Sequence, residues 1–170
     1  DKLNAKVRAG YDSFEFHQVF HAIHNFCVID MSNFYLDVLK DRLYCEKTDG
    51  TLRRAAQSAI YLILNSLTRM LAPILAFTSE EIWQSMPHLE SDNAENVLLN
   101  DMPKKENLTA PEGFMEKWEK INAVKDAVKK QLEELRAQKT IGSSLDAEVT
   151  LYAQGELYAF LNRVKDVLPQ

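Results

Sequence analysis

Three histidines, His17, His21 and His24, fall at i, i+4 and i+7, a spacing that gathers imidazoles on one helical face as a metal site would. Helical-wheel arithmetic sets that face beside the apolar stripe of its own segment, and no fourth ligand stands at supporting spacing. The three therefore read as boundary histidines that pack and donate hydrogen bonds, and no metal site is expected. The carboxylate pairs Glu80-Glu81 and Glu133-Glu134 suggest acid–base chemistry, but adjacent residues on a helix point about 100° apart and share no site. Cys27 and Cys45 lack metal-type spacing and read as free thiols of a reducing, cytoplasmic compartment. Gly142-Ser143-Ser144 is too short to cradle a phosphate, and no G-x-S-x-G, G-x-G-x-x-G or H-E-x-x-H occurs, so no catalytic residue or cofactor is assigned within this chain.

The chemistry that remains is cationic. Lys40 and Arg42 end one predicted helix and Arg53 and Arg54 begin the next, so the four bracket the 43–51 loop, where Tyr44 offers a ring. Guanidinium and ammonium groups clustered at a bundle end suit phosphate contacts, and a tyrosine there can stack on a base. Lys125, Lys129 and Lys139 are secondary candidates for the same role. The opposing interpretation is a solvated helix end in which Asp41, Glu46 and Asp49 satisfy these cations. The net charge of −5 argues against wholesale polyanion binding, yet residues 38–70 carry six basic groups against three acidic ones. Residues 88–101 are acidic throughout, without Lys or Arg, and should be repelled by phosphates.

These groups must be positioned by helices. The chain has 170 residues, 46% of them hydrophobic and 26% charged, the balance of a folded globule with room for one domain or a domain plus an appendage. No apolar run approaches the roughly 20 residues that span a bilayer. The start, Asp1-Lys2-Leu3-Asn4, has no signal-peptide core and reads as part of something longer.

Phe16, Val19, Phe20, Ile23, Phe26 and Cys27 predict a helix over 13–29, and Asp30 or Ser32 can cap a second helix with Phe34, Tyr35, Val38 and Leu39 facing inward. Asp49-Gly50 signals a turn, with Thr51 as the following cap. Residues 52–75 are apolar around most of their circumference, which predicts the most buried element at the centre of a bundle, kinked by Pro73. Thr78 to Glu81 has the spacing of a capping box. Three prolines mark 87–113 as a linker with one extended piece at Val97–Leu99. An amphipathic helix is predicted over 113–138, then a loop from Lys139 to Ser144, a strand over Glu148–Tyr152 and a helix over 155–167. The expected fold is mainly α: residues 1–102 form a helical bundle with its linker, and 103–170 form a small α+β subdomain, incomplete because its lone strand lacks partners.

Several runs carry a family resemblance. Glu15-Phe16-His17, Ile23-His24-Asn25-Phe26-Cys27, Phe34-Tyr35-Leu36-Asp37 and Lys40-Asp41-Arg42-Leu43-Tyr44 closely resemble the isoleucyl-tRNA synthetases, a class I aminoacyl-tRNA synthetase family. Leu71 to Trp83 is similar to a second segment, which valyl- and leucyl-type relatives share. Lys139 through Ala147 with Val149 to Tyr152 is similar to a third. The resemblance implies an anticodon-binding bundle followed by the start of a domain that contacts the tRNA stem. It implies tRNA for isoleucine as partner, upstream catalytic and editing domains in the same chain, and a ligase that uses ATP and magnesium. The family's H-I-G-H and K-M-S-K-S signatures and its zinc knuckle are absent here, so the segment itself is expected to be inactive and to dock tRNA. The alternatives are the same region of a valyl- or leucyl-type enzyme, or a non-enzymatic interaction bundle that docks through the 113–138 helix.

Overall fold

The chain opens with α1 (Lys2–Asp12), a helix that the periodicity beginning at residue 13 does not include. In the computed structural model, residues 1–104, 110–143 and 146–165 are described, and the chain divides into two units, Asp1–Asn107 and Leu108–Gln170. α1 ends where Phe14 enters the left-handed region (φ 58°). The Phe14 amide donates to Tyr11 O and the Glu15 amide to Gly10 O, which satisfies the last carbonyls in a Schellman arrangement. The reversal lays α2 (Phe16–Asn25) along α1. Gly10 makes the approach possible, because a Cβ there would stand 2.7 Å from Val19 Cγ2. Val7, Val19, Ile23 and Met70 form the first core cluster, with Leu3, Tyr11, Cys27, Leu67, Leu71 and Met102 packed against it.

The helix break expected at Asp30 or Ser32 does not occur. Residues Phe26–Tyr35 continue from α2 as a π-helix, followed by α3 (Leu36–Val38) and α4 (Lys40–Tyr44). Leu39, between these last two, is 2% exposed and anchors the segment. The central helix, α5 (Thr51–Leu71), is capped by Gly50 rather than by Thr51. It stops before Pro73 instead of running through it kinked, because Pro73 has no amide to continue the ladder. Nor is it buried all round: Leu52 and Leu62 are exposed. Two of the residues that α5 buries are polar, Asn65 and Thr68. Thr68 Oγ1 donates to Leu64 O at 2.8 Å, and a satisfied hydroxyl is tolerated inside.

α6 (Ala76–Ser85) starts two residues before Thr78, so the capping box is not formed. Glu80 serves another end: its Oε2 accepts the Val97 amide at 2.8 Å. Trp83, fully buried, centres the second cluster with Ala72, Met86 and Val97. Val97–Leu99 is a 3₁₀ turn rather than an extended piece, because Asn96 accepts the Leu98 amide and winds it. The chain closes onto α1 where Arg8 Nη2 donates to the carbonyls of Met102 and Pro103 at 3.0 and 2.8 Å.

The acidic 88–101 stretch also contributes a charge to the interior. Asp92 turns inward, its side chain 2% exposed, and its carboxylate pairs with Arg69, accepts from Asn65 Nδ2 at 3.2 Å and from the Leu89 amide at 3.1 Å. Arg69 in turn lies over the Trp83 ring, 5.3 Å from its centroid.

The second unit holds α7 (Phe114–Ala137) and α8 (Gly155–Val164), with Ile121 and Val164 buried and Lys120 Nζ 5.7 Å from the Phe160 ring centroid. The expected α+β character is not found. Among the described residues there is no strand, and Glu148–Tyr152 is irregular with Val149, Leu151 and Tyr152 exposed. Alternating apolar residues do not make a strand when no second strand accepts their backbone groups. Ser144 and Leu145, of the third family segment, and residues 166–167 of the last predicted helix lie outside the described residues.

Candidate nucleic-acid interface

The turn between α4 and α5 is built by backbone hydrogen bonds. The Cys45 amide donates to Asp41 O and the Gly50 amide to Lys47 O, both at 2.9 Å. Gly50 is needed for closeness, since a Cβ would meet Lys47 O at 3.0 Å. Arg53 lies half-buried behind this turn, its Nη1 donating to Glu46 O at 3.2 Å. The sequence expectation makes Arg53 a phosphate ligand; one nitrogen of its guanidinium also braces the loop.

Lys40, Tyr44 and Arg54 are exposed. Lys40 and Tyr44 stand four residues apart on α4, hence on one face, and Tyr44 is 81% exposed. Lys40 Nζ pairs with Asp37 Oδ1 at 2.7 Å, both side chains open to solvent. The hydrogen bond to Asp37 and its charge push the lysine pKa up, with Tyr44 adding to the effect. An exposed pair of this kind is weak, so a phosphate can replace the aspartate at little cost. Arg42, in the last turn of α4, is half-buried. Arg54 is exposed and reaches Gln57 Oε1 at 3.5 Å, a marginal contact. Lys47, exposed within the turn itself, belongs with this group but was not singled out. Its position between Glu46 and Asp49 masked it, and only the turn that projects it reveals it. Tyr44 and Lys40 on α4, Lys47 in the turn and Arg54 in the first turn of α5 are thus all exposed at the α4–α5 junction.

Lys125, Lys129 and Lys139 sit on the second unit. Lys125 is half-buried on α7, and burial first, then Lys129 one turn on, lowers its pKa against the opposing effect of Asp126. Lys129 is exposed. Lys139 ends α7 in the left-handed region (φ 59°), with the Thr140 amide donating to Leu135 O and its own amide to Arg136 O. A non-glycine residue at this position costs about 1–2 kcal/mol. Lys139→Gly should therefore stabilise the unit by about 1 kcal/mol in denaturant unfolding; an unchanged midpoint would show that the lysine is unstrained.

His17, His21 and His24 are all exposed on α2, with Phe20 lying 5.3 and 5.6 Å from the His21 and His24 rings. Among the described residues no three His, Cys, Asp or Glu side chains converge as metal ligands. Cys27 and Cys45 are free thiols, the first half-buried with its pKa raised by burial. Among the described residues, no helix is long and apolar enough to cross a membrane.

The family model described as the anticodon-binding domain of tRNA ligase matches residues 1–151. Similar curated proteins are the isoleucine–tRNA ligases of Caldicellulosiruptor saccharolyticus, 49% identical over 170 residues, and of Carboxydothermus hydrogenoformans, 50% identical over 169. That of Caldanaerobacter subterraneus is 45% identical over 168 residues. The alignments cover 98–99% of this chain and 18% of each relative, so the chain spans under a fifth of the length of the proteins it matches. The family model covers most of the chain, and the chain belongs to the family of anticodon-binding domains of tRNA ligases.

Proposed function

We propose that this chain is the tRNA-docking part of an isoleucine–tRNA ligase, with tRNA for isoleucine as its partner. Residues 1–102 serve the anticodon side and residues 103–170 the stem. The observation that carries the proposal is the exposed Tyr44 among Lys40, Lys47 and Arg54, in a chain about half identical to isoleucine–tRNA ligases along nearly its whole length. Lys40 and Arg54 attract the phosphate backbone, Tyr44 stacks on a splayed base, and Arg53 holds the turn that presents it. Arg42, Arg53, Lys125, Lys129 and Lys139 are further candidates for backbone contacts.

ATP and magnesium belong to the chemistry of the whole ligase, which works in the cytoplasm through catalytic and editing domains elsewhere in its chain. The residues here do not fit a nucleotide–metal site: the sequence has no nucleotide-binding motif and the described residues form no cluster of metal ligands. No step of activation is therefore assigned to them. In the full-length ligase, Lys40→Ala with Arg54→Ala should raise the KM for tRNA severalfold and leave isoleucine-dependent ATP–pyrophosphate exchange unchanged. Loss of both activities together, or of neither, would count against docking at this end.

A further inference from the structure

One dipeptide of the turn between α4 and α5 has a chemistry of its own. Asp49-Gly50 is the only place in the sequence where a glycine follows an aspartate or an asparagine. A backbone amide can attack the side-chain carboxyl of the residue before it and close a five-membered imide. A Cβ on the attacking residue hinders that approach. Glycine removes the hindrance and widens the range of backbone angles the pair can reach.

The turn leaves this pair open to react. Asp49 is exposed, and among the described residues no hydrogen bond or ion pair holds its carboxylate. The Gly50 amide donates to Lys47 O at 2.9 Å, a bond that belongs to one turn rather than to a helical ladder and is released by local opening. Glu46 Oε2 lies beside the glycine, 3.4 Å from where its Cβ would stand, and can take up the amide proton. Other aspartates are better defended. The amide after Asp126 lies deep within α7, and the one after Asp12 donates to Ala9 O at 3.1 Å. The Asp92 carboxylate is itself engaged by Arg69, Asn65 and the Leu89 amide.

We propose that Asp49-Gly50 is a site of spontaneous isoaspartate formation, and that this change disables the RNA-facing turn. The Gly50 nitrogen bonds to Asp49 Cγ, and one carboxyl oxygen leaves as water with the amide proton and a proton from solvent. Water then adds to the ring carbonyl that was the Asp49 backbone carbonyl and breaks its bond to the Gly50 nitrogen. The chain now runs through Cβ and Cγ, one methylene longer, and the former backbone carbon carries the free carboxylate. Water is released and taken up again, and nothing is oxidised or reduced. The added methylene displaces Gly50, the N-cap of α5, from Lys47 O, and disturbs the Glu46 carbonyl to which Arg53 donates. Tyr44, Lys47 and Arg54 thereby lose the turn that sets their relative positions. The chemistry stands by itself; its effect on RNA rests on the proposed function.

The test ages the full-length ligase for weeks at neutral pH. Isoaspartate is then located by peptide-resolved methyl transfer from S-adenosylmethionine with an isoaspartyl methyltransferase. It is expected to accumulate at position 49 at least about fivefold faster than at any other aspartate of this chain, because only there does glycine follow. Aged wild-type enzyme should lose tRNA affinity in proportion to its isoaspartate at 49. Asp49→Glu keeps the charge but would have to close a six-membered ring, so it should bind tRNA as wild type does when fresh and retain that affinity on ageing. Absence of isoaspartate at 49 above the level at other aspartates overturns the proposal. Accumulation there without loss of affinity, or equal loss in Asp49→Glu, overturns the disabling of the turn. The methyl label reads the chemistry without RNA, so an Arg54→Ala variant that binds tRNA as wild type does would refute the proposed interface and leave the reaction at Asp49 decided by the label.

Discussion

Asp92→Ala is expected to destabilise the first unit by about 3–5 kcal/mol, as removal of one partner from a buried ion pair does. The change strips Arg69 of its counter-charge while the guanidinium remains largely inside, its side chain 16% exposed. It also leaves the Asn65 amide and the Leu89 N–H without their acceptor. Because Arg69 lies over Trp83, the loss reaches the second core cluster. The pH dependence has a definite sign. Burial pushes the Asp92 carboxyl up, but the Leu89 amide, the charge and hydrogen bond of Arg69, and the Asn65 amide together hold it below the ordinary carboxylate value. A depressed carboxyl stabilises the fold above its unfolded pKa of about 3.9 and loses that contribution as pH falls through the folded value. Denaturant unfolding at neutral pH and below about pH 4 should therefore show wild type weakening in acid more than Asp92→Asn does. Equal acid sensitivity of the two would show that this carboxylate is not the group involved.

Tyr44→Ala is expected to weaken tRNA binding by about 1–3 kcal/mol, the range for removing one base-stacking ring, which is roughly 5- to 150-fold in Kd. The side chain packs into no core, being 81% exposed, so unfolding should shift by no more than about 0.5 kcal/mol. Tyr44→Phe keeps the π-face and should bind within about twofold of wild type if stacking is the contact. A large loss in the phenylalanine variant would instead assign the effect to the hydroxyl.

What the sequence disclosed and what it hid follow from range. α5 and α7 were legible because their apolar periodicity is local and long, and so was the cationic bracket, since residues 40–54 lie close together in the chain. The inward turn of Asp92 was not legible, because its partners lie 23 and 27 residues away and only the fold joins them. Arg53 and Arg54 are adjacent and chemically alike, and only the path of the loop assigns one to bracing Glu46 and the other to solvent. The strand at 148–152 failed for the converse reason: its pattern is local, but a strand exists only where a neighbour pairs with it. α1 was missed because Leu3, Val7 and Tyr11 mark its buried face too sparsely to stand out beside the phenylalanine-rich segment that follows.

The most direct test of the central claim, that the start of α5 is a phosphate-gripping surface, is the salt dependence of tRNA affinity for the full-length ligase and its Arg54→Ala variant. The account predicts that log Kd rises steeply and linearly with log salt for the wild-type enzyme. It predicts that Arg54→Ala flattens the slope by up to about one unit, the signature of one lost phosphate contact. A parallel line for the variant, with affinity unchanged at every salt concentration, would contradict it.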